Sequence, residues 1–378
     1  MKVAIAGGGP GGLYAGYLIK RAFPDWDIAI HEQNPENVTW GFGVVFSDTA
    51  LDFLAADDPD THAAIVPAME MWRDMTLDVL GEKVTLDGIG FAAIGRLHLL
   101  QLLTERARSV GVDPKFGTSV GDIEALEADA DLVIGADGLN SLVRGSGNFG
   151  TAMSVLSNKF VWYGTNRPFD TLTQSFRESR WGRFNAHHYR YRADMSTFIV
   201  ETDAATWNAA GFADMAEPEY RAVCEEIFAD VLDGAGLVDN KSHWRNFPKL
   251  WNECWYDGKK VLLGDALHTA HFSIGSGTRL AMEDAIALAR ALTEAEGDIS
   301  VALPAYQAVR KPIVQKIVTA ANTSAEWYEG FAARMDIGAW EFADSYIRRA
   351  GRIDDERLRR LSPEFMAGLD RHRTGETA

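Results

Sequence analysis

The sequence predicts an α/β protein: a parallel sheet with a phosphate-binding turn, a separate antiparallel sheet, and a helical C-terminus. Three observations predict it. The apolar run from Val3 to Ala6 leads into Gly7-Gly8-Gly9-Pro10-Gly11-Gly12, and helical spacing follows. Two more strand-to-turn elements, Asp131 to Arg144 and Lys260 to His268, recur far downstream, so separated segments build the parallel layer. Between them, from about 155 to 203, the pattern alternates as in antiparallel strands, and beyond 303 it is largely helical.

Residues 2–6 read as a buried strand, and 11–23 as a helix with Leu13, Tyr14, Tyr17, Leu18 and Ala22 near helical spacing. Pro24-Asp25 ends that helix, and 26–32 form the next strand, a βαβ start. Residues 33–50 are rich in Gly, Asn and Pro and read as a long loop, of the kind that is usually functional. Within it, Trp40 to Asp48 carries large apolar residues that require burial. Gly90 to Ile94 is strand-like, 96–110 is an amphipathic helix, and 131–136 is another buried strand. Phe160 to Tyr163, Arg183 to Tyr191 and Ser196 to Glu201 read as antiparallel strands, with a turn at 193–195. Residues 204–232 are helical, 260–264 return as a parallel strand, and 279–295 form a helix. The expected division is 1–154 with 258–330 for the nucleotide-binding domain, 155–257 for a substrate domain, and 331–378 for a helical C-terminal segment.

The chain has 378 residues, more than one hydrophobic core usually holds. Its net charge of −17 argues against a nucleic-acid or anionic-membrane surface. Cys224 and Cys254 lack disulfide-framework and metal-ligand spacing, so no metal is expected. No signal-peptide pattern is present, and no apolar stretch approaches the ~20 residues that span a bilayer. A cytoplasmic monomer or homodimer is the expectation.

Gly7-x-Gly9-x-x-Gly12 sits between strand and helix. Gly7 permits the tight turn, Gly9 lets a pyrophosphate approach the backbone, and Gly12 lets helix and strand pack closely. The helix start offers free N–H groups to phosphate. Glu32 ends the second strand, where a carboxylate can accept from an adenosine ribose. Asp137-Gly138 after a buried strand, and Gly264-Asp265 before Gly275-Ser276-Gly277, are the later elements. Arg96 opens a helix, where a cation is unfavourable unless an anion lies near.

With these motifs in this order, the chain resembles the FAD-dependent aromatic hydroxylases, the single-component flavoprotein monooxygenases. The resemblance extends to about residue 345. It implies a glutathione-reductase-like FAD domain, with Asp137 serving FAD and incoming NAD(P)H, and Asp265 at the flavin ribitol. It places Gly275 and Gly277 by the isoalloxazine, Val45 against the flavin, and Arg96 near the pyrophosphate. The family usually has Pro at Phe272 and Asn at Arg279, which points to a subgroup. Trp40 to Asp48, Asn158 to Thr165, Ser196 to Glu201 and His271 to Gly277 resemble the group that hydroxylates salicyloyl-CoA and 2-aminobenzoyl-CoA. They also resemble the tryptophan hydroxylase of violacein synthesis. The implied reaction is hydroxylation of an aromatic ring by NAD(P)H and O₂ through a flavin C4a-hydroperoxide. The implied substrate is an aromatic CoA thioester; the alternatives are tryptophan or another free aromatic acid, or a non-catalytic flavin-binding protein.

Arg177, Arg180, Arg183, Arg190 and Arg192 form a local basic island. They either receive phosphates of a CoA thioester or of NADPH, or pair with scattered carboxylates. Arg177, Arg183, His187 and Tyr189, with His271 and Phe272, are the expected substrate contacts. His271 is the one candidate for a catalytic role, by hydrogen bonding to a phenol, amine or carbonyl.

Overall fold

A computed structural model describes residues 1–47 and 52–375. Asp48, at the end of the apolar loop, lies outside the described residues. Lys2–Ala6 forms parallel pairs with Asp27–Glu32 on one side and Leu132–Gly135 on the other. Lys260–Leu262 continues the parallel layer beside Leu132–Gly135. The order across this six-stranded sheet therefore interleaves the first, middle and last thirds of the chain. The buried faces are Val, Ile, Leu and Ala, as a parallel sheet covered on both sides requires. The helices Pro10–Ala22 and Gly277–Glu294 pack together over it.

The larger sheet is built on Thr151–Thr165, Leu172–Ser179, Gly182–Arg192 and Met195–Thr202, joined antiparallel. Met75–Val79 and Glu82–Leu86 extend this sheet, although they fall in the stretch expected to accompany the FAD domain. One face packs on the helices of 204–232, and the other meets Trp327, Phe342, Tyr346 and the C-terminal helices. The register puts Gln174 opposite His187 and His187 opposite Ile199, on one face. Arg177, one residue out of phase with Gln174, points to the opposite face.

The expected loop 33–50 contains a strand, Gly43–Ser47, paired antiparallel with Phe91–Gly95. Burial of Val44 and Phe46 is the reason for it, and the loop expectation is corrected to that extent. Tyr189 Oη donates to Gly43 O at 2.9 Å, and Gly43 N donates to Thr197 Oγ1 at 2.8 Å. The large sheet thereby fixes the strand carrying Val45. No helix among the described residues is long and apolar enough to cross a membrane, and no described cluster of His, Cys, Asp or Glu could hold a metal.

Candidate active site

The glycine turn shows its purpose atom by atom. A Cβ on Gly7, at φ +103°, would lie 2.2 Å from Ala136 O. One on Gly12 would lie 2.0 Å from Gly7 O, so both glycines are demanded by packing. One on Gly9 would meet nothing within 4 Å. Gly9 also has ordinary extended backbone, φ −72° and ψ 179°, and caps the helix without a side chain. The fold therefore does not require Gly9; a ligand approaching the helix N-terminus does.

That space is a cleft of about 390 Å³ bordered by Gly8, Gly9, Glu32, Thr39, Arg96 and Arg108. A second cavity of about 430 Å³ shares Gly9 and Glu32 and continues over Asp137 and Gly138. Glu32 Oε2 accepts from Gly8 N at 2.7 Å, while Oε1 accepts from Asn34 N and Nδ2. Arg96 Nε donates to Thr39 Oγ1 at 3.0 Å. Burial depresses the Arg96 guanidinium, with Asp265 and Glu32 opposing that shift. Among the described residues no carboxylate pairs with it directly, as an anion-binding cation requires. Asp265 is exposed to solvent. The surrounding protein raises its pKa by desolvation, against the pull of His268 and Arg96.

Asp137 has a more structural role than expected. Its Oδ2 accepts from Leu142 N at 2.7 Å and Val143 N at 3.3 Å, clamping its own turn. Only Oδ1 is left without a partner. Arg144 ties this turn to the Asp265 turn by donating to Ala266 O at 2.9 Å. The Asp265 turn is held from below by a buried ionic chain. His268 Nε2 donates to Asp284 Oδ2 at 2.9 Å, and Gly264 N reaches the same oxygen at 3.1 Å. Arg310 Nε donates to Asp284 Oδ1 at 2.8 Å, and its Nη2 lies 2.7 Å from Glu283 Oε2. His268 is thus a structural residue. Gly275, at φ +60°, approaches Val45, with a Cβ there 3.3 Å from Val45 O. A Cβ on Gly277 would be free, at the uncapped start of an 18-residue helix.

A second cluster lies on the inner face of the large sheet. His187 is buried, and neither ring nitrogen has a partner. Gln174 beside it is fully buried, with both amide atoms unpartnered. Glu201 Oε1 accepts from Asn158 Nδ2 at 2.9 Å, but Oε2 has no partner. His271 is buried against Phe272, Phe247 and Tyr328. Its Nδ1 accepts from Ser273 N at 3.3 Å, which leaves Nε2 to carry the proton of the neutral ring. Burial, reinforced by Arg349, pushes both His187 and His271 down to about 3. These buried polar atoms without partners lie together on one face of the sheet. Phe272 packs on Phe160 at 5.0 Å and adds an apolar wall.

Comparison with known proteins agrees with this geometry. Residues 90–321 match a family described as "FAD binding domain". Salicyloyl-CoA 5-hydroxylase from Streptomyces sp is 44% identical over 93% of this chain and 70% of its own length. The 3-hydroxy-4-methyl-anthranilyl-[aryl-carrier protein] 5-monooxygenase of Streptosporangium sibiricum is 33% identical over 93% of this chain and 95% of its own. The chain belongs to the FAD-binding monooxygenase family. It is an FAD-dependent aromatic monooxygenase, and the non-catalytic alternative is set aside. The fold agrees with that of 2-methyl-3-hydroxypyridine-5-carboxylic acid oxygenase, with TM-score 0.69 and 20% identity over 96% of each chain.

The residues of this monooxygenase fit FAD: an open Gly9, an unpaired Arg96, an exposed Asp265 and two uncapped helix starts. Asp265→Ala is expected to fold normally, because its side chain faces solvent. FAD affinity should fall about ten- to a hundredfold, the value of a hydrogen bond to a charged group. Titration of the apoprotein followed by flavin fluorescence measures it, and an unchanged dissociation constant would refute the role.

The basic island does not form a free anion site. Arg177 makes bonds to both oxygens of Asp78, at 2.8 and 2.9 Å, and to Asp230 at 2.8 and 3.0 Å. With Phe176 O at 3.0 Å, all five of its donors are occupied, on the face away from His187. Arg183 pairs with Asp336, Arg190 with Glu70 at 2.8 Å, Arg192 with Asp194 and Arg180 with Glu226. The expectation that Arg177 and Arg183 hold substrate is corrected: strand alternation and local carboxylates absorb them. Tyr189 keeps its place near the pocket, with its ring 5.3 Å from His187, but its hydroxyl is bound to Gly43 O.

Gln174, Glu201 and Asn158 belong to this buried polar cluster, and the sequence reading does not assign them. The available signal was a carboxylate ending an otherwise apolar strand, Thr197-Phe-Ile-Val-Glu201. Burial raises Glu201 to about 8, with Asn158 opposing and Glu329 adding. Between pH 4.5 and about 8 the unfolded chain has lost this proton while the folded one holds it. Glu201 therefore lowers stability progressively across that window, by on the order of 5 kcal/mol. Glu201→Gln should accordingly be more stable than the parent at pH 8.5, and lose that advantage at pH 4.5. Denaturant titrations at the two pH values decide it; an equal difference at both would show that Glu201 does not titrate this way.

Proposed function

We propose that this monooxygenase hydroxylates the ring of an aromatic acyl thioester carrying an ortho hydroxyl or amino group. The observation that carries the reading is the uncharged, buried cluster of unpartnered polar side chains. His187 and Gln174 offer four unpartnered polar atoms side by side, and His187 and His271 stay neutral by burial. A phenol or aniline with a neighbouring thioester carbonyl supplies matching donors and acceptors without bringing a charge into the interior. The names of the two sequence relatives, one a salicyloyl-CoA hydroxylase and the other acting on an anthranilyl carrier-protein thioester, support the same class.

In this reading FAD, bound over Gly9, Arg96 and Asp265, supplies the oxidation of NAD(P)H and the activation of O₂. The chain's own residues do the rest. His187 and Gln174 orient the ring through its substituent, and His271 Nε2–H donates to the oxygen or nitrogen nearest the turn. Protonated Glu201 offers a hydroxyl donor from Oε2. Phe272, Phe160 and Phe247 exclude water from the ring. Arg349 favours the second reading, a free aromatic acid such as tryptophan. Its Nε is unpartnered and its charge reaches His187, although both Nη atoms are bound to carbonyls. We place the reaction in the cytoplasm, consistent with two unpaired cysteines.

The test is substrate-dependent oxidation of NADH and NADPH with salicyloyl-CoA, 2-aminobenzoyl-CoA, the two free acids and tryptophan, with product analysis. Thioesters should be hydroxylated with at least tenfold higher kcat/KM than the acids. Turnover confined to free acids would transfer the assignment to the second reading.

A further inference from the structure

A second set of cations, distinct from the strand arginines, has no acidic ion-pair partner among the described residues. Lys316, Arg352 and Arg357 are exposed, and none forms an ion pair among the described residues. They are drawn together by the backbone. Arg352 Nη2 donates to Lys316 O at 2.8 Å, and Arg357 Nη1 donates to Arg352 O at 3.3 Å. The acidic residues beside them form no ion pair with these three side chains. Asp354 Oδ1 caps Arg357 N, Asp355 pairs with Arg348 at 2.8 Å, and Glu356 pairs with Arg360 at 2.9 Å. Arg279, half-buried near the cofactor turn, adds its charge toward Arg352 while bound to Glu283. In a chain of net charge −17, three unpaired cations held together need a reason.

The patch connects to the ring pocket through Arg349. Arg349 Nη2 donates to Ser273 O at 2.8 Å, in the turn that begins at His271. Its guanidinium lies 3.7 Å from the Tyr346 ring centre and its Nε is unpartnered. Arg352 lies only three positions, no more than about 10 Å of chain, from Arg349. One end of this segment therefore carries a charge that reaches buried His187, and the other presents cations to solvent.

We propose that Lys316, Arg352 and Arg357 form the landing site for the phosphate end of a phosphopantetheinyl thioester whose aryl group enters the His187 pocket. The inference rests on the thioester reading above. The acyl group and the thioester need a neutral interior, whereas the phosphate needs fixed cations at the rim, and Arg suits it through its planar fork. The phosphate can belong to free CoA or to the prosthetic arm of a carrier protein; the cations meet the same group in both.

The experiment compares the parent with the triple variant Lys316→Gln, Arg352→Gln, Arg357→Gln, both loaded with FAD. Three substrates share one acyl group: salicyloyl-CoA, salicyloyl-pantetheine without phosphate, and salicyloyl-carrier protein. The variant should raise KM about tenfold for phosphate-bearing substrates and less than twofold for the pantetheine thioester, with kcat little changed. An effect larger on CoA identifies CoA as the source; one larger on the carrier protein identifies the carrier. Salt provides the second measurement on the parent alone: KM for salicyloyl-CoA should rise steeply with NaCl, and that for the pantetheine thioester should not. Equal shifts for phosphorylated and unphosphorylated thioesters, or no salt dependence, would overturn the landing site. If the parent hydroxylates only the free acid, it is the thioester reading that has failed.

Discussion

Gly9→Val is expected to give a folded protein that purifies without FAD. The position has extended backbone open to any residue, and its Cβ would meet nothing within 4 Å. The apoprotein should thus unfold at nearly the parent's denaturant midpoint. The same side chain fills the space where a pyrophosphate must approach the helix N-terminus, so binding should fall by at least a thousandfold, more than about 4 kcal/mol. Gly12→Val is the contrast: its Cβ would collide with Gly7 O at 2.0 Å, and the loss there is of the fold itself. Absorbance near 450 nm together with circular dichroism separates the two outcomes. A yellow Gly9→Val protein with normal turnover would show that the cleft is not the cofactor site.

Asp284→Ala should be the most damaging single change outside the glycines. Burial alone would raise the Asp284 carboxyl, but His268 and Arg310 hold it below its usual range. Removing it leaves Arg310, 5% exposed, facing Glu283 alone, and releases His268 and Gly264 N. Breaking one side of a buried ion pair costs about 3–5 kcal/mol. That is a large share of the 5–15 kcal/mol by which a domain is ordinarily stable. Because the pKa is depressed in the folded state, the parent's contribution from this group is present above the normal carboxylate range and fades as pH falls through the folded value. Urea titration at pH 7 should show the loss, and at low pH the gap between variant and parent should narrow. A loss under 1 kcal/mol at pH 7 would refute the network's role. The Asp265 turn should also loosen, so FAD retention falls together with stability.

The glycine turn was legible because its demands are local. Gly7 and Gly12 are read from spacing alone, and the structure returns the same two backbone contacts that the spacing implies. The ring pocket was legible only in part. His187, His271 and Phe272 lie near one another, but Arg177 faces away, because residues one step apart on a strand face opposite sides of the sheet. Alternation tells which side chains share a face, not which face meets the cofactor. Gln174 and Glu201 gained their meaning only once neighbouring strands and the 271–277 turn had closed over them. The strand Gly43–Ser47 was hidden for a related reason: its partner, Phe91–Gly95, is remote in sequence, and its flanks read as loop.

Met75–Val79 and Glu82–Leu86 lie in the large sheet, while Lys2–Ala6 and Asp27–Glu32 before them and Leu132–Gly135 after them lie in the parallel one. The polypeptide thus shuttles between the two layers instead of completing one before starting the other. Neither layer has all its strands until the ribosome has delivered residues beyond 250, since Lys260–Leu262 is needed by the first and Arg245–Asn252 by the second. A nascent chain must therefore carry unsatisfied strand edges for most of its synthesis. A cut between the two layers would leave each without strands it needs, and the two are expected to melt together in one calorimetric transition.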